Sequence, residues 1–328
     1  MKKLAIVLLM ACMLAPVMAQ DVPGMLDTEP VIKRPGPVSG KNQAEVLDDL
    51  SPELLLRMAG QDDVNAQYNL ALLYANGIGV EQDYVVAAEW FRKAAEAGDS
   101  EAQVQLGYLY DHGRGVSSSA ALAAYWYRKA AEQDDPVGMI NLGQFFSEGR
   151  GVAGDPVVAC DWFEKAAEIG HPEAQYLFAE CLEYGAGRQQ DMTAASRWFM
   201  AAAEQGDAIA QAKLGNLYEA GQGVDKDPEQ AAYWYQRAAE QGEPQAQYNY
   251  GVLLSEGRGV QRDPAAAVQW FEKAAKQNDA NAQFALADAY LEGRGVTADT
   301  DTALRWLQEA ARQNYPPAVA VLEKLRVE

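Results

Sequence analysis

Few residues in this chain are equipped for covalent or proton chemistry, and their placement narrows the class of function. There are two histidines, His112 and His171, and three cysteines, Cys12, Cys160 and Cys181. Catalysis by a nucleophile and a base needs such groups convergent in a recess. Neither Gly-x-Ser-x-Gly, Ser-x-x-Lys nor His-Glu-x-x-His occurs. A recurring Gly-Arg-Gly-Val suggests a phosphate loop, but no Gly-Lys-Ser/Thr follows it and no strand-like run precedes it. The chain therefore reads as a non-enzyme, with no catalytic residue, cofactor or metal expected. Both histidines are expected on the solvated surface. Cys160 and Cys181 take places that are small or apolar elsewhere, which reads as two buried thiols; a disulfide between them is the other option in an oxidising compartment. What remains is recognition chemistry. Tyrosines give contact area at low entropic cost, and the many carboxylates among them attract lysine and arginine.

Those residues recur because the chain repeats. Trp90, Trp126, Trp162, Trp198, Trp234, Trp270 and Trp306 follow one another every 36 residues and divide residues 65–316 into seven blocks. A unit this short cannot bury its own apolar face, so it stacks on its neighbours. In each block an apolar stripe at three- and four-residue spacing, such as Ala66, Leu70 and Tyr74, predicts a first helix. That helix stops at Gly77 and its counterparts through Gly293, where glycine reaches the left-handed conformation without a Cβ clash. A second helix starts at the N-caps Asp83, Ser119, Asp155, Asp191, Asp227, Asp263 and Asp299, with Pro156, Pro228 and Pro264 at the first helical position. It ends at Gly98, Gly170, Gly206 and Gly242, or at Asp134, Asn278 and Asn314 in the other blocks. The tryptophans are expected in the core, each burying on the order of 150–250 Å². A capping helix within 44–64, starting at Ser51-Pro52-Glu53, and another over 317–328, with Leu322 and Leu325 inward, are expected to close the ends. No stretch reads as strand.

The block Ala-x-x-x-x-Leu-Gly-x-x-Tyr-x-x-Gly-x-Gly-Val-x-x-Asp-x-x-x-Ala-x-x-Trp-Tyr-x-Lys-Ala-Ala-x-x-Gly resembles the Sel-one-like repeat, a relative of the tetratricopeptide repeat. Residues 209–244 match it nearly throughout, with Arg237 in place of the lysine. Arg188 stands where the other blocks have valine, and Ala201 where a basic residue is usual. The resemblance implies an all-α fold: a right-handed α/α superhelical solenoid of seven 36-residue helical hairpins with terminal capping half-repeats. It also implies an adaptor in protein complexes without catalysis of its own. In the tetratricopeptide arrangement the first helix of each hairpin lines a concave wall. By that likeness Tyr68, Tyr108, Glu148, Tyr176, Glu180, Glu183, Tyr184, Glu219, Tyr248, Glu256, Phe284 and Asp288 face one groove, aromatic and acidic together. Such a groove suits a basic or amphipathic protein segment from the cell envelope or from a host. Because sugars also stack on tyrosine, a glycan or cell-wall ligand, with regulation of an envelope enzyme, is the alternative.

Residues 1–19 read as a secretory signal, with Lys2 and Lys3, an apolar run from Leu4 to Val17, and Val17-Met18-Ala19 before Gln20. Leu9-Met10-Ala11 before Cys12 offers a lipoprotein reading, which the apolar residues after Cys12 disfavour. The run is too short for a membrane anchor, and no other stretch is long enough to span a bilayer. A periplasmic or secreted protein is the expectation. Residues 20–43 form a Pro/Gly-rich leader. Losing Lys2 and Lys3 takes the formal charge from −20 to −22, which disfavours nucleic acid and anionic membranes and permits basic partners.

Overall fold

A computed structural model describes residues 51–327; the signal, the leader and the start of the N-terminal capping segment lie outside them. Among the described residues there are sixteen α-helices and no strand. They fall into two compact units, with the chain divided after Ser118. The first holds α1 (Pro52–Ala59), α2 (Val64–Asn76), α3 (Tyr84–Glu96) and α4 (Ser100–His112). The second begins with α5 (Ala120–Ala131), α6 (Pro136–Glu148), α7 (Pro156–Glu168), α8 (Pro172–Tyr184), α9 (Met192–Glu204) and α10 (Ala208–Ala220). It continues with α11 (Pro228–Glu240), α12 (Pro244–Glu256), α13 (Pro264–Lys276), α14 (Ala280–Glu292), α15 (Thr300–Arg312) and α16 (Pro316–Val327). Inside each unit every helix packs on the helices just before and after it in chain order, the arrangement of a solenoid.

Short-range chemistry sets the helix ends. The Asp227 carboxylate accepts from the amides of Glu229 and Gln230 at 2.9 and 3.1 Å, and Asp83, Asp155, Asp263 and Asp299 each cap their second helix through two amides in the same way, while Asp191 and the Ser119 hydroxyl each accept from one. The first helix of each pair ends at a left-handed glycine, as at Gly257 (φ 74°). Asp134, Asn278 and Asn314 take positive φ where the other second helices have glycine. The second glycine of each loop answers a different need. A Cβ on Gly259 would lie 2.0 Å from the Pro228 carbonyl oxygen, so this loop presses on the start of the preceding hairpin's second helix. Within a hairpin, a Cβ on Gly215 would lie 2.4 Å from the Tyr235 ring, which shows how closely its two helices approach.

The tryptophans are not the centre of the core. Only Trp234 is buried and the other six are half-buried, whereas the residues that follow them, Phe91, Tyr127, Phe199 and Tyr235 among them, are fully buried. In three repeats one helical turn brings the lysine three residues on over the indole. Lys93 Nζ lies 3.8 Å from the Trp90 ring centroid, Lys165 4.3 Å from that of Trp162, and Lys273 3.6 Å from that of Trp270. An ammonium that must stay hydrated holds these rings at the outer flank.

Polar rungs cross the apolar interior at the repeat interval. Gln211, fully buried, donates to the Ala203 carbonyl at 2.9 Å and accepts from Gln241 at 2.8 Å. Gln175–Gln205, Gln247–Gln277 and Gln283–Gln313 repeat the pair at 2.8, 2.9 and 2.9 Å. Cys160 of α7 and Cys181 of α8 are joined in a disulfide. At the ends, Leu55 and Ala59 of α1 pack on Ala66, Leu70 and Leu73, while Ala318 and Leu322 of α16 join the cluster around Phe284 and Leu307. The side chain of Leu325 lies outside the described residues.

Candidate functional site

The face offered by the first helices is best developed on α8. Tyr176, Glu180, Glu183 and Tyr184 fall at three- and four-residue steps, which sets them side by side on one flank. The Tyr176 hydroxyl donates to Glu180 Oε1 at 2.8 Å. Lys213 reaches across from α10, placing Nζ 2.7 Å from Glu183 Oε2 and 5.5 Å from the centroid of the Tyr184 ring. Burial lifts Tyr176 well above the ordinary phenol range, reinforced by the Glu180 charge. Burial also raises Glu180, against the opposing pull of the Tyr176 hydroxyl and Lys213. For Lys213, burial works against the charge, but its bond and charge pairing with Glu183 outweigh that and hold it above its ordinary value. Tyr184 is 66% exposed over this charge-matched base.

The next interval repeats the theme with other residues. The Tyr235 hydroxyl lies 2.6 Å from Asn216 Oδ1 and 3.0 Å from Glu219 Oε2. Arg258, in the loop after α12, holds Glu219 at 2.6 Å and Glu256 at 2.5 Å. Asn249 of α12 donates to Asn216 at 3.4 Å. Glu148 pairs with Arg150 at 3.3 Å, and Asp288 pairs with Arg294.

The expected carboxylates are therefore not a bare acidic wall. Glu148, Glu183, Glu219, Glu256 and Asp288 each hold a cation of this chain, and Glu180 holds a phenol. The aromatic column is also partly committed to hairpin packing. Tyr176 leans on Phe199 at 5.5 Å between ring centroids, Tyr248 on Phe271 at 5.9 Å, and Phe284 on Tyr315 at 5.7 Å. Phe284 is buried, while Tyr176 and Tyr248 stay half-buried. In the first unit Tyr68 is buried against Phe91, and Tyr108 is buried in a stack with His112 at 4.0 Å with Arg114 at 5.3 Å. The structure thus brings Tyr176, Glu180, Glu183 and Tyr184 together through Lys213, and Glu219 and Glu256 through Arg258.

Sequence reasoning missed both of those cations. Lys213 replaces the asparagine, glutamine or apolar residue of the other repeats, which is a visible signal, but its target is 30 residues away. Arg188 is a comparable exception: it leaves the valine column to hold Asp161 and Glu164 of α7 at 2.6 and 2.5 Å. His171 corrects a further expectation, being half-buried rather than a solvated surface residue. It stands at the N-cap of α8 where the other first helices from α2 to α14 have Asp or Glu, makes no capping bond, and has a buried Nδ1 without a partner. Burial lowers its pKa against the opposing charge of Asp135. Among the described residues no group of three His, Cys, Asp or Glu is placed to hold a metal ion. No described helix is long and apolar enough to cross a membrane.

The Sel1 repeat model matches residues 64–99, 100–135, 136–171, 172–207, 208–243, 244–279 and 280–315. This chain belongs to the Sel1 repeat family. The matched frame starts one residue earlier than the blocks drawn from the tryptophans and takes in the N-terminal residue of each first helix. A Sel1 repeat protein from Oxalobacter formigenes is similar in structure with a TM-score of 0.70 at 35% identity, over 88% of this chain and 83% of that one. A protective antigen of uropathogenic Escherichia coli strains, displaying an SLR fold, matches with a TM-score of 0.78 at 32% identity over 82% of this chain. The match spans 58% of that antigen. No curated protein matches the chain. Sel1 repeat proteins generally mediate protein–protein interaction and are typically non-catalytic scaffolds.

Proposed function

We propose that this chain is an exported, non-catalytic adaptor that holds an amphipathic protein segment on the flank formed by α8, α10 and α12. The observation that carries the reading is Tyr184, an aromatic ring 66% exposed beside the Lys213–Glu183 pair. An exposed tyrosine seated on fixed polar groups is the usual composition of a binding hot spot. Because the neighbouring carboxylates already hold internal cations, charge alone is a weak lure. Apolar contact with Tyr184 and Tyr248 supplies affinity, and the paired charges around them set register. Export rests on the signal-like residues 1–19, and a periplasmic or extracellular partner follows from it.

The test is affinity capture by immobilised residues 20–328 from an envelope extract of the producing cell, at low and high salt, with the variant Tyr184→Ala/Tyr248→Ala in parallel. A protein retained at high salt by the native chain and lost from the variant is the expected result. Recovery of the same proteins by both chains would sink the assignment of this flank, and retention of wall material alone would replace the protein partner with a glycan.

A further inference from the structure

Four loops of this chain read Gly-Arg-Gly-Val and set Arg114, Arg150, Arg258 and Arg294 at one repeat position. Three of these arginines are matched by carboxylates of the chain. Arg150 pairs with Glu148, Arg258 with Glu219 and Glu256, and Arg294 with Asp288. Arg114 is the exception. Among the described residues its side chain makes no hydrogen bond or ion pair, and its contacts are with two aromatic rings.

The sequence supplies the cause. The place of Glu148 and Glu256 is taken by His112, that of Asp288 by Tyr108 and that of Glu219 by Ala75. Every carboxylate that the other three arginines use is thus replaced by a residue without negative charge. His112 stacks on the Tyr108 ring at 4.0 Å, with Nδ1 3.0 Å from the Tyr108 carbonyl oxygen. The adjoining carboxylate, Asp111, is largely buried and lies 3.9 Å from His112 Nδ1.

The guanidinium is nevertheless held in place. Arg114 Cζ lies 5.6 Å from the centroid of the Tyr84 ring on α3 and 5.3 Å from that of Tyr108 on α4, within cation–π range. The loop that bears it is pinned as well, since a Cβ on Gly115 would lie 2.0 Å from the Tyr84 carbonyl oxygen. Arg114 and Tyr84 are half-buried, so both still reach solvent. An oriented guanidinium with unspent donors is a ready receptor for a carboxylate, which it can take through two parallel bonds.

We propose that Arg114 receives the carboxylate of an Asp or Glu side chain from a bound protein segment, with Tyr84 against a neighbouring apolar residue of that segment. The choice of ligand follows from the repeat position itself, where the same guanidinium takes Glu or Asp in the three other loops. In the second repeat the partner fills the place that Glu148, Glu256 and Asp288 fill internally. This site uses none of the residues of the α8, α10 and α12 flank, so the fate of that reading does not decide this one.

The test is titration of residues 20–328 with the tripeptide Leu-Glu-Leu blocked at both ends. It is read by NMR at the Arg114 Nε–Hε signal and at the Tyr84 and Tyr108 ring signals. A saturable shift is expected, with blocked Leu-Gln-Leu binding about tenfold more weakly. Arg114→Gln should lose the ring shifts. His112→Glu restores the carboxylate of the other loops and keeps the guanidinium, and it should weaken Leu-Glu-Leu binding by about tenfold. No saturable shift, or equal binding by the native chain and His112→Glu, would overturn the proposal. So would a stronger response to unblocked Leu-Gln-Leu, whose one carboxylate is its chain end, or to inorganic phosphate.

Discussion

Gln67 and Gln211 occupy the same repeat position and face opposite circumstances. Each donates to the carbonyl of an alanine eight residues back, at 3.2 Å to Ala59 and 2.9 Å to Ala203. Gln211 Oε1 then accepts from Gln241, whereas Gln67 Oε1 is buried without a partner. Thirty residues beyond Gln67 stands Ala97, where the later repeats have glutamine. The third repeat resolves the problem differently, with Met139 and Ile169 at the two places and no polar atom to satisfy. A buried rung is stable when both partners are polar or both apolar, and the mixed case carries the cost.

The largest effect should follow from making the intact rung mixed. Gln241→Ala leaves Gln211 Oε1 without its donor and should lower stability by about 1–3 kcal/mol in chemical denaturation. Pairing Gln211→Met with Gln241→Ile copies residues 139 and 169 and should recover most of that loss. If the double variant is no more stable than the single one, the rung explanation fails.

Repairing the first unit tests the comparison from the other side. Ala97→Gln should give Gln67 its missing donor and raise stability by about 1 kcal/mol, read as a higher melting temperature of residues 20–328. No gain, or a loss, would mean that solvent already satisfies Gln67.

The rungs also mark the limit of what was legible. Helix ends could be read because their causes are local: a glycine at 257 or an aspartate at 227 acts within four residues. The family could be read because Trp90 to Trp306 keep one interval. The depth of the tryptophans could not, since it depends on the way hairpins stack. Nor could the charge state of the candidate flank, because Glu183 is matched by Lys213 and Glu219 by Arg258, 30 and 39 residues on. One signal was available: glutamines separated by thirty residues at 175 and 205, 211 and 241, 247 and 277, and 283 and 313.

A smaller contrast divides the first-helix caps. Asp207 and Asp279 accept from the amides of Ala210 and Ala282, each at 2.7 Å, and His171 accepts from none. His171→Asn should install the missing cap and add about 0.5–1 kcal/mol. Its pH dependence separates this cause from a general surface effect. Burial holds the folded-state pKa of His171 below the ordinary 6.5. The folded protein therefore resists protonation there, and the histidine's contribution is present at high pH and lost as pH falls below 6.5. Asp207, Glu243 and Asp279 act in the reverse sense, because burial raises them despite their cap bonds. Their contribution is fully present below the ordinary carboxylate range and is lost as pH rises through their raised values. The carboxylates are common to the native chain and His171→Asn, so they cancel in the difference between the two. That difference, from melting curves at intervals between pH 8 and pH 5, should widen as the pH drops. A constant gap would leave the cap as the whole effect and show that His171 titrates in the folded chain as it does in water.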